Sequence, residues 1–223
     1  MTERVGLPAH YRFARWFVRS FFQVLSRVDV TGREHIPLTG PLIVAANHMH
    51  VFDLPIVFFV VPRRQTVFAA SKWQGKFAGW LMQVFADAIF VERGEPDRQA
   101  IAKALEVVQQ GGALGVAPEG TRSRTGGLIE GKPGTVYLAS RSGAPILPMV
   151  VWGQERAMHD WAHLRRAKIH VRVAPPMSLP SGAEHARSVE LASYTDRLML
   201  TLARMLPQEY RGVYTDRVEQ EEG

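Results

Sequence analysis

The spacing of hydrophobic and polar positions changes several times along this chain, and each change marks an element. Residues 11–28, YRFARWFVRSFFQVLSRV, follow a helical period. At 100° per residue Arg12, Arg15, Arg19 and Gln23 share one face, while Phe13, Phe17, Phe21, Val24, Leu25 and Val28 occupy the other. A short strand is expected at 28–32, and the unbroken apolar run 42–46 reads as a buried strand. Asp53-Leu54-Pro55 opens a helix, with Asp53 as its cap and Pro55 in the first turn. Further strands are expected at 66–70, 88–91, 113–117 and 145–151, and the alternating segment 168–173 reads as an edge strand. Helices are expected at 75–84, from Pro96-Asp97 through the stripe Ile101, Ala104, Leu105 and Val108, at 133–142 and at 185–206. Strand and helix alternate almost throughout. The pattern predicts an α/β fold: a single domain with a mixed, largely parallel sheet flanked by helices.

The same pattern divides the chain into an N-terminal amphipathic helix over 1–26, a main domain over 27–207 and a loose, charged tail over 208–223. Arginine interrupts the first segment too often for it to span a bilayer, and the run from Leu54 to Val61 is too short. Aromatic rings opposite arginines suit a helix lying in the headgroup layer of a membrane. The plain alternative is a helix that packs on its own core. A clean apolar core with a small-residue cleavage site is missing, so no signal peptide is expected.

Composition narrows the chemistry. The 223 residues are enough for one well-filled core, and they include no cysteine. Disulfides, thiolate metal sites and a cysteine nucleophile are thereby excluded. The net charge is +6, carried by 22 arginines against 5 lysines. Such an excess suits phosphate groups or an anionic membrane surface. Nucleic acid is not expected as a partner, because neither zinc-finger spacing nor an aromatic RNA-binding motif occurs.

Candidate chemistry begins in Asn47-His48-Met49-His50-Val51-Phe52-Asp53, a strand-to-helix loop that contains the chain's one asparagine. If this loop curls back, Asp53 can hold one imidazole nitrogen of His48 while the other faces a substrate hydroxyl. Later strand ends add Ser71-Lys72, Val91-Glu92-Arg93 and Pro118-Glu119-Gly120-Thr121-Arg122-Ser123. Strand exits gather on one edge of such a sheet, so Lys72, Arg93 and Arg122 could form a phosphate receptor. A rival reading takes His48-Met49-His50 with Asp53 as an HxHxxD metallohydrolase motif, with His159, His163 or His170 as further ligands. A non-catalytic membrane-binding protein is the third possibility.

These segments carry a family resemblance. Asn47-His48 with Asp53 resembles the NHxxxxD motif of the glycerolipid acyltransferases, in particular the 1-acyl-glycerol-3-phosphate (lysophosphatidic acid) acyltransferases. Ile89-Phe90-Val91-Glu92-Arg93 resembles their second motif, Pro118 to Ser123 the third, and Ala144-Pro145-Ile146-Leu147-Pro148 the fourth. Gly131-Lys132-Pro133-Gly134 resembles the segment between the last two. The match covers roughly residues 27–175, in order. It departs from the pattern at Ala117, where phenylalanine is usual, at Asp87, where glycine often precedes the second motif, and at His50, often serine. The resemblance implies that 27–207 is an acyltransferase catalytic domain, with His48 as general base and Asp53 orienting it. Arg93 and Arg122, with Lys72, would hold the acceptor phosphate. Asn47, Glu119, Gly120 and Thr121 would shape the substrate pocket. The donor would be acyl-CoA or an acyl carrier protein and the acceptor a phosphate-bearing lysolipid, with glycerol-3-phosphate, another lysolipid or a glycolipid as alternatives. No acyl-enzyme, metal or further cofactor is implied. The expected location is peripheral, on the cytoplasmic face of the cell membrane.

Overall fold

The computed structural model describes residues 8–92 and 97–222. Its strands are β1 (Ser26–Thr31), β2 (Leu42–Ala46), β3 (Gln65–Ala70), β4 (Ile89–Val91), β5 (Ala113–Val116), β6 (Ile146–Trp152) and β7 (Ala167–Val173). They form one sheet in the order β1-β7-β6-β2-β5-β3-β4. Every pairing is parallel except β6 with β7. The helices are α1 (Ala9–Leu25), α2 (Asp53–Val60), α3 (Phe77–Ala86), α4 (Arg98–Gln109), α5 (Gly134–Ser142), α6 (Ala157–Ala162), α7 (Ser188–Met205) and α8 (Thr215–Glu222). The expected α/β architecture with a mixed, largely parallel sheet is what forms.

Position in the sheet follows from apolar content. All five residues of β2 are buried, and β2 lies between β5 and β6 with both faces covered. One face packs on α4, α5 and α7 through Leu114, Val136 and Leu198, the other on α2 through Val44, Ile56 and Val60. At their C-terminal ends β2, β3 and β5 open onto one edge of the sheet, the edge where α/β folds assemble ligand sites.

Several expectations change. The helix expected over 11–28 stops at Leu25, because Ser26–Thr31 pair in register with Ala167–Arg172 and continue as β1. The segment expected at the sheet edge, β7, is internal, between β1 and β6. Its alternation reports that one face is covered and the other wet, which carries no information about lateral position. Asp53 does not cap α2; it is the first helical residue, and Phe52 precedes it without a side-chain cap.

The tail is also folded. Tyr214 and Val218 are buried against the main core. Leu128 N–H donates to Tyr210 O, Val213 N–H to Leu128 O, and Gly131 N–H to the Tyr214 hydroxyl at 3.0 Å. Gly212 makes this clamp possible: its φ is +57°, and a Cβ there would lie 2.0 Å from Leu128 O. Polar surface residues disguise the tail in the sequence, since only its inward stripe is apolar.

Helix α1 has three faces rather than two. Tyr11, Ala14 and Phe22 are buried, and the Tyr11 hydroxyl donates to Arg63 O while accepting from Gln65 N–H. Burial raises the Tyr11 phenol to about 12. Arg15, expected on one face with Arg12, Arg19 and Gln23, turns inward and donates to Phe58 O at 3.2 Å and to Val61 O. It thereby satisfies carbonyls that the end of α2 leaves free. The aromatic face stays uncovered: Phe13 is 65% exposed, Trp16 61% and Phe17 54%. Among the described residues no helix is long and apolar enough to cross a membrane.

Candidate active site

The end of β2 is fixed before the chemistry begins. Asn47 is buried, and its side-chain amide makes two bonds to the backbone of one residue of β6: Nδ2 donates to Val151 O at 2.9 Å, and Oδ1 accepts from Val151 N–H at 2.7 Å. Both amide atoms are therefore engaged, so Asn47 clamps β2 to β6 while it also lines the pocket.

His48 follows, with its backbone gripped on both sides by the 118–123 segment. Its N–H donates to Glu119 Oε1 at 2.7 Å, and its carbonyl accepts from Ser123 N–H at 2.8 Å. The ring stands free of that grip. Nδ1 lies 2.9 Å from Asp53 Oδ2, which also accepts from Met49 N–H at 2.7 Å and His50 N–H at 2.8 Å. Oδ2 already accepts from two backbone N–H groups, and a carboxylate oxygen takes a further bond only from a donor, so the proton of the His48 ring is assigned to Nδ1. Nε2 is then left as the basic nitrogen of an imidazole that lines the pocket.

Gln154, invisible to sequence reasoning, completes the arrangement. It is fully buried in the turn after β6, and its Nε2 donates to Asp53 Oδ1 at 2.7 Å. With both oxygens bonded, the carboxylate is held in one orientation. The only sequence signal is a lone Gly153-Gln154 pair after an apolar strand.

Glu119 was expected among the pocket residues, yet it is fully buried beneath the loop. Its Oε2 accepts from Ile129 N–H at 3.2 Å. Burial pushes its carboxyl up to about 7, against the opposing pull of the His48 and Ile129 backbone donors. Its part is to brace His48. Gly120 takes the left-handed conformation, φ +68°, and a Cβ there would meet Lys132 Cδ at 2.9 Å. Thr121 and Arg122 line the pocket as expected, together with Lys72. Arg124, a residue not singled out from the sequence, joins them. Arg93 lies outside the described residues.

The pocket has a volume of about 330 Å³. Val44, Leu54, Val57, Val67, Phe68 and Met82 give it apolar walls, while His48, Lys72, Arg122 and Arg124 supply its polar and cationic side. An apolar chain with an anionic head matches that division. The HxHxxD reading finds no support in the geometry: His50 packs against Phe52, and His170 stacks on Trp152. Among the described residues no three His, Asp or Glu side chains come together as a ligand set.

Comparisons with known proteins point the same way. The acyltransferase family model matches residues 27–152. The 1-acyl-sn-glycerol-3-phosphate acyltransferase alpha of Bos taurus is 31% identical over 198 residues, covering 83% of this chain and 66% of that protein. The Homo sapiens protein of that name is 31% identical over 198 residues, with 83% and 67% covered. The chain thus spans about two thirds of the length of these mammalian relatives. The 1-acyl-sn-glycerol-3-phosphate acyltransferase of Borreliella burgdorferi is 32% identical over 130 residues, 56% of this chain and 51% of that one. Among solved structures, the 1-acyl-sn-glycerophosphate acyltransferase PlsC of Thermotoga maritima superposes with a TM-score of 0.65 at 24% identity, covering 96% of this chain and 80% of that chain. At that identity the likeness establishes the fold.

Proposed function

This chain belongs to the acyltransferase family, and we propose that it acylates the free hydroxyl of 1-acyl-glycerol-3-phosphate to give phosphatidic acid. The observation that carries the reading is the 2.9 Å contact between His48 Nδ1 and Asp53 Oδ2 within a pocket that is apolar on one side and cationic on the other. The donor is an acyl thioester, acyl-CoA or acyl carrier protein. His48 Nε2 takes the proton of the acceptor hydroxyl as the oxygen attacks the thioester carbonyl. The C–O bond forms, the C–S bond breaks, and the departing thiolate takes up the proton from the imidazolium. General-base help of this kind contributes about 10²–10⁴-fold. Neither an acyl-enzyme nor a metal enters the scheme, and the thioester is the one co-substrate.

The apolar walls suit the acyl chain, and Lys72, Arg122 and Arg124 suit the acceptor phosphate, with Arg93 added from the family resemblance. The enzyme is proposed to work peripherally on the cytoplasmic face of the cell membrane. The exposed Phe13, Trp16 and Phe17 of α1 and the exposed Phe77 and Trp80 of α3 support the membrane contact. The test is thiol release from palmitoyl-CoA across a panel of acceptors. Release that depends on 1-acyl-glycerol-3-phosphate is expected. Release only with glycerol-3-phosphate or a glycolipid would move the acceptor, and none with any acceptor would overturn the reading.

A further inference from the structure

A second cleft, of about 400 Å³, lies beside the C-terminal half of α1 and shares no lining residue with the pocket at His48. Four guanidinium groups from four segments border it: Arg19 of α1, Arg27 of β1, Arg33 from the turn after β1, and Arg166 from the loop before β7. Two of them have structural duties. Arg166 donates to Ser26 O at 2.7 Å and to Gln23 O, tying the end of α1 to the sheet. Arg33 sits over the Phe59 ring at 5.8 Å. Arg19 and Arg27 have no hydrogen-bond or carboxylate partner among the described residues. The one carboxylate in the lining, Asp29, faces His170 Nδ1 at 3.6 Å.

An independent observation points to a ligand. Ser26 lines the cleft and is buried, and its hydroxyl has no hydrogen-bond partner. A buried hydroxyl left unpaired costs on the order of 1–3 kcal/mol, so such groups are normally satisfied. Four guanidinium groups gathered around a single carboxylate, Asp29, also leave an excess of like charge that repels itself. One anion with several oxygens relieves both penalties. Guanidinium groups bind tetrahedral oxyanions through paired N–H bonds, and a hydroxyl adds another donor.

We propose that this cleft binds a phosphate mono- or diester, presented by the headgroup of an acidic phospholipid. The choice of source rests on the membrane reading above; the phosphate chemistry does not. At 100° per residue, Arg19 and Gln23 fall between the buried stripe of Tyr11 and Phe22 and the exposed stripe of Phe13, Trp16, Phe17 and Val24. With the aromatic stripe in the acyl boundary, the cleft lies at the level of the lipid phosphates. The site therefore selects the lipid composition on which the enzyme settles, while the substrate enters elsewhere.

The experiment compares the whole chain with an Arg19→Gln/Arg27→Gln variant, which removes no structural bond. Sedimentation is measured with phosphatidylcholine vesicles and with vesicles that also contain phosphatidylglycerol. Melting temperature is measured in inorganic phosphate against chloride at matched ionic strength. The expected result is weaker partitioning of the variant onto phosphatidylglycerol vesicles by about 30-fold, the equivalent of about 2 kcal/mol for two arginines. Its melting temperature in chloride should not fall below the parent's, and its phosphatidylcholine baseline should match. Equal phosphatidylglycerol preference in both proteins would overturn the headgroup assignment. A phosphate-induced rise in melting, seen in the parent and lost in the variant, would then transfer the cleft to free phosphate. If the parent binds no vesicle, the membrane reading fails separately and the phosphate arm decides the cleft; no rise there would overturn it altogether.

Discussion

Gln154 Nε2 donates to Asp53 Oδ1 at 2.7 Å, joining two residues 101 positions apart beneath the imidazole of His48. The bond leaves Asp53 no freedom to rotate away from Nδ1. Gln154→Leu should therefore lower kcat by about 10-fold or more while both KM values hold, since a hydrogen bond to a charged group is worth about 1.5–3 kcal/mol. Steady-state kinetics beside a melting curve make the check. A drop in melting temperature with kcat intact would reduce Gln154 to a structural brace.

His48 and His50 separate cleanly. Asp53 Oδ2 meets the His48 ring but only the backbone N–H of His50, whose own ring packs on Phe52 at 5.1 Å. His48→Ala should lose at least ~10²-fold in kcat, and His50→Ala should keep most activity. The reverse ranking, measured by thiol release, would remove His48 from the base's role.

Arg122 borders the pocket together with Lys72 and Arg124. Its truncation to Ala should raise the acceptor KM about 10- to 150-fold, as expected for the loss of a charge-assisted phosphate contact. The donor KM should move little. A change in the donor KM alone would assign this cationic side to the phosphates of the carrier instead.

Glu119 makes stability depend on pH. Its carboxyl is pushed from 4.5 up to about 7 by burial. The folded state then binds more protons than the unfolded state between those values, so stability falls as pH rises from about 4.5 to about 7 and levels off above. The effect is at most on the order of 3 kcal/mol. Glu119→Gln should flatten this part of the curve, leaving a smaller difference in melting temperature between pH 4.5 and pH 7.5. Parallel curves for the two proteins would show that burial does not perturb Glu119.

The aromatic face of α1 can be tested without dismantling the fold. Deleting the helix would remove Tyr11, Phe22 and the Arg15 bonds to the end of α2, so deletion should unfold the domain. Phe13→Ser with Phe17→Ser alters only exposed rings. Burial of a full Phe is worth ~1.5–3 kcal/mol, so partial burial of two should cost 10-fold or more in vesicle partitioning with an unchanged melt. Retained sedimentation would place the membrane contact elsewhere.

What the sequence determined by itself was local. The apolar run 42–46 and the break at Asn47 define a buried strand entering a loop, because burial on both faces leaves no room for polar alternation. The His48–Asp53 pair was legible because only five residues separate its members, and the start of a helix folds the loop back on itself. The aromatic and arginine periods of α1 were legible for the same reason, although which polar residue turns inward was not. Tertiary structure decided everything that depends on distant partners. It turned Arg15 onto the carbonyls of α2, engaged Asn47 with Val151 and Glu119 with the His48 backbone, and brought Gln154 to Asp53. Each of these side chains had a plausible local use, as surface charge, substrate contact or loop residue. A buried donor or acceptor must be satisfied by whatever the topology brings within 3 Å, and a one-dimensional pattern of polarity does not contain that neighbour. The internal position of β7 and the packing of the tail have the same origin: periodicity encodes which face is covered, and only the assembled sheet and core determine what covers it.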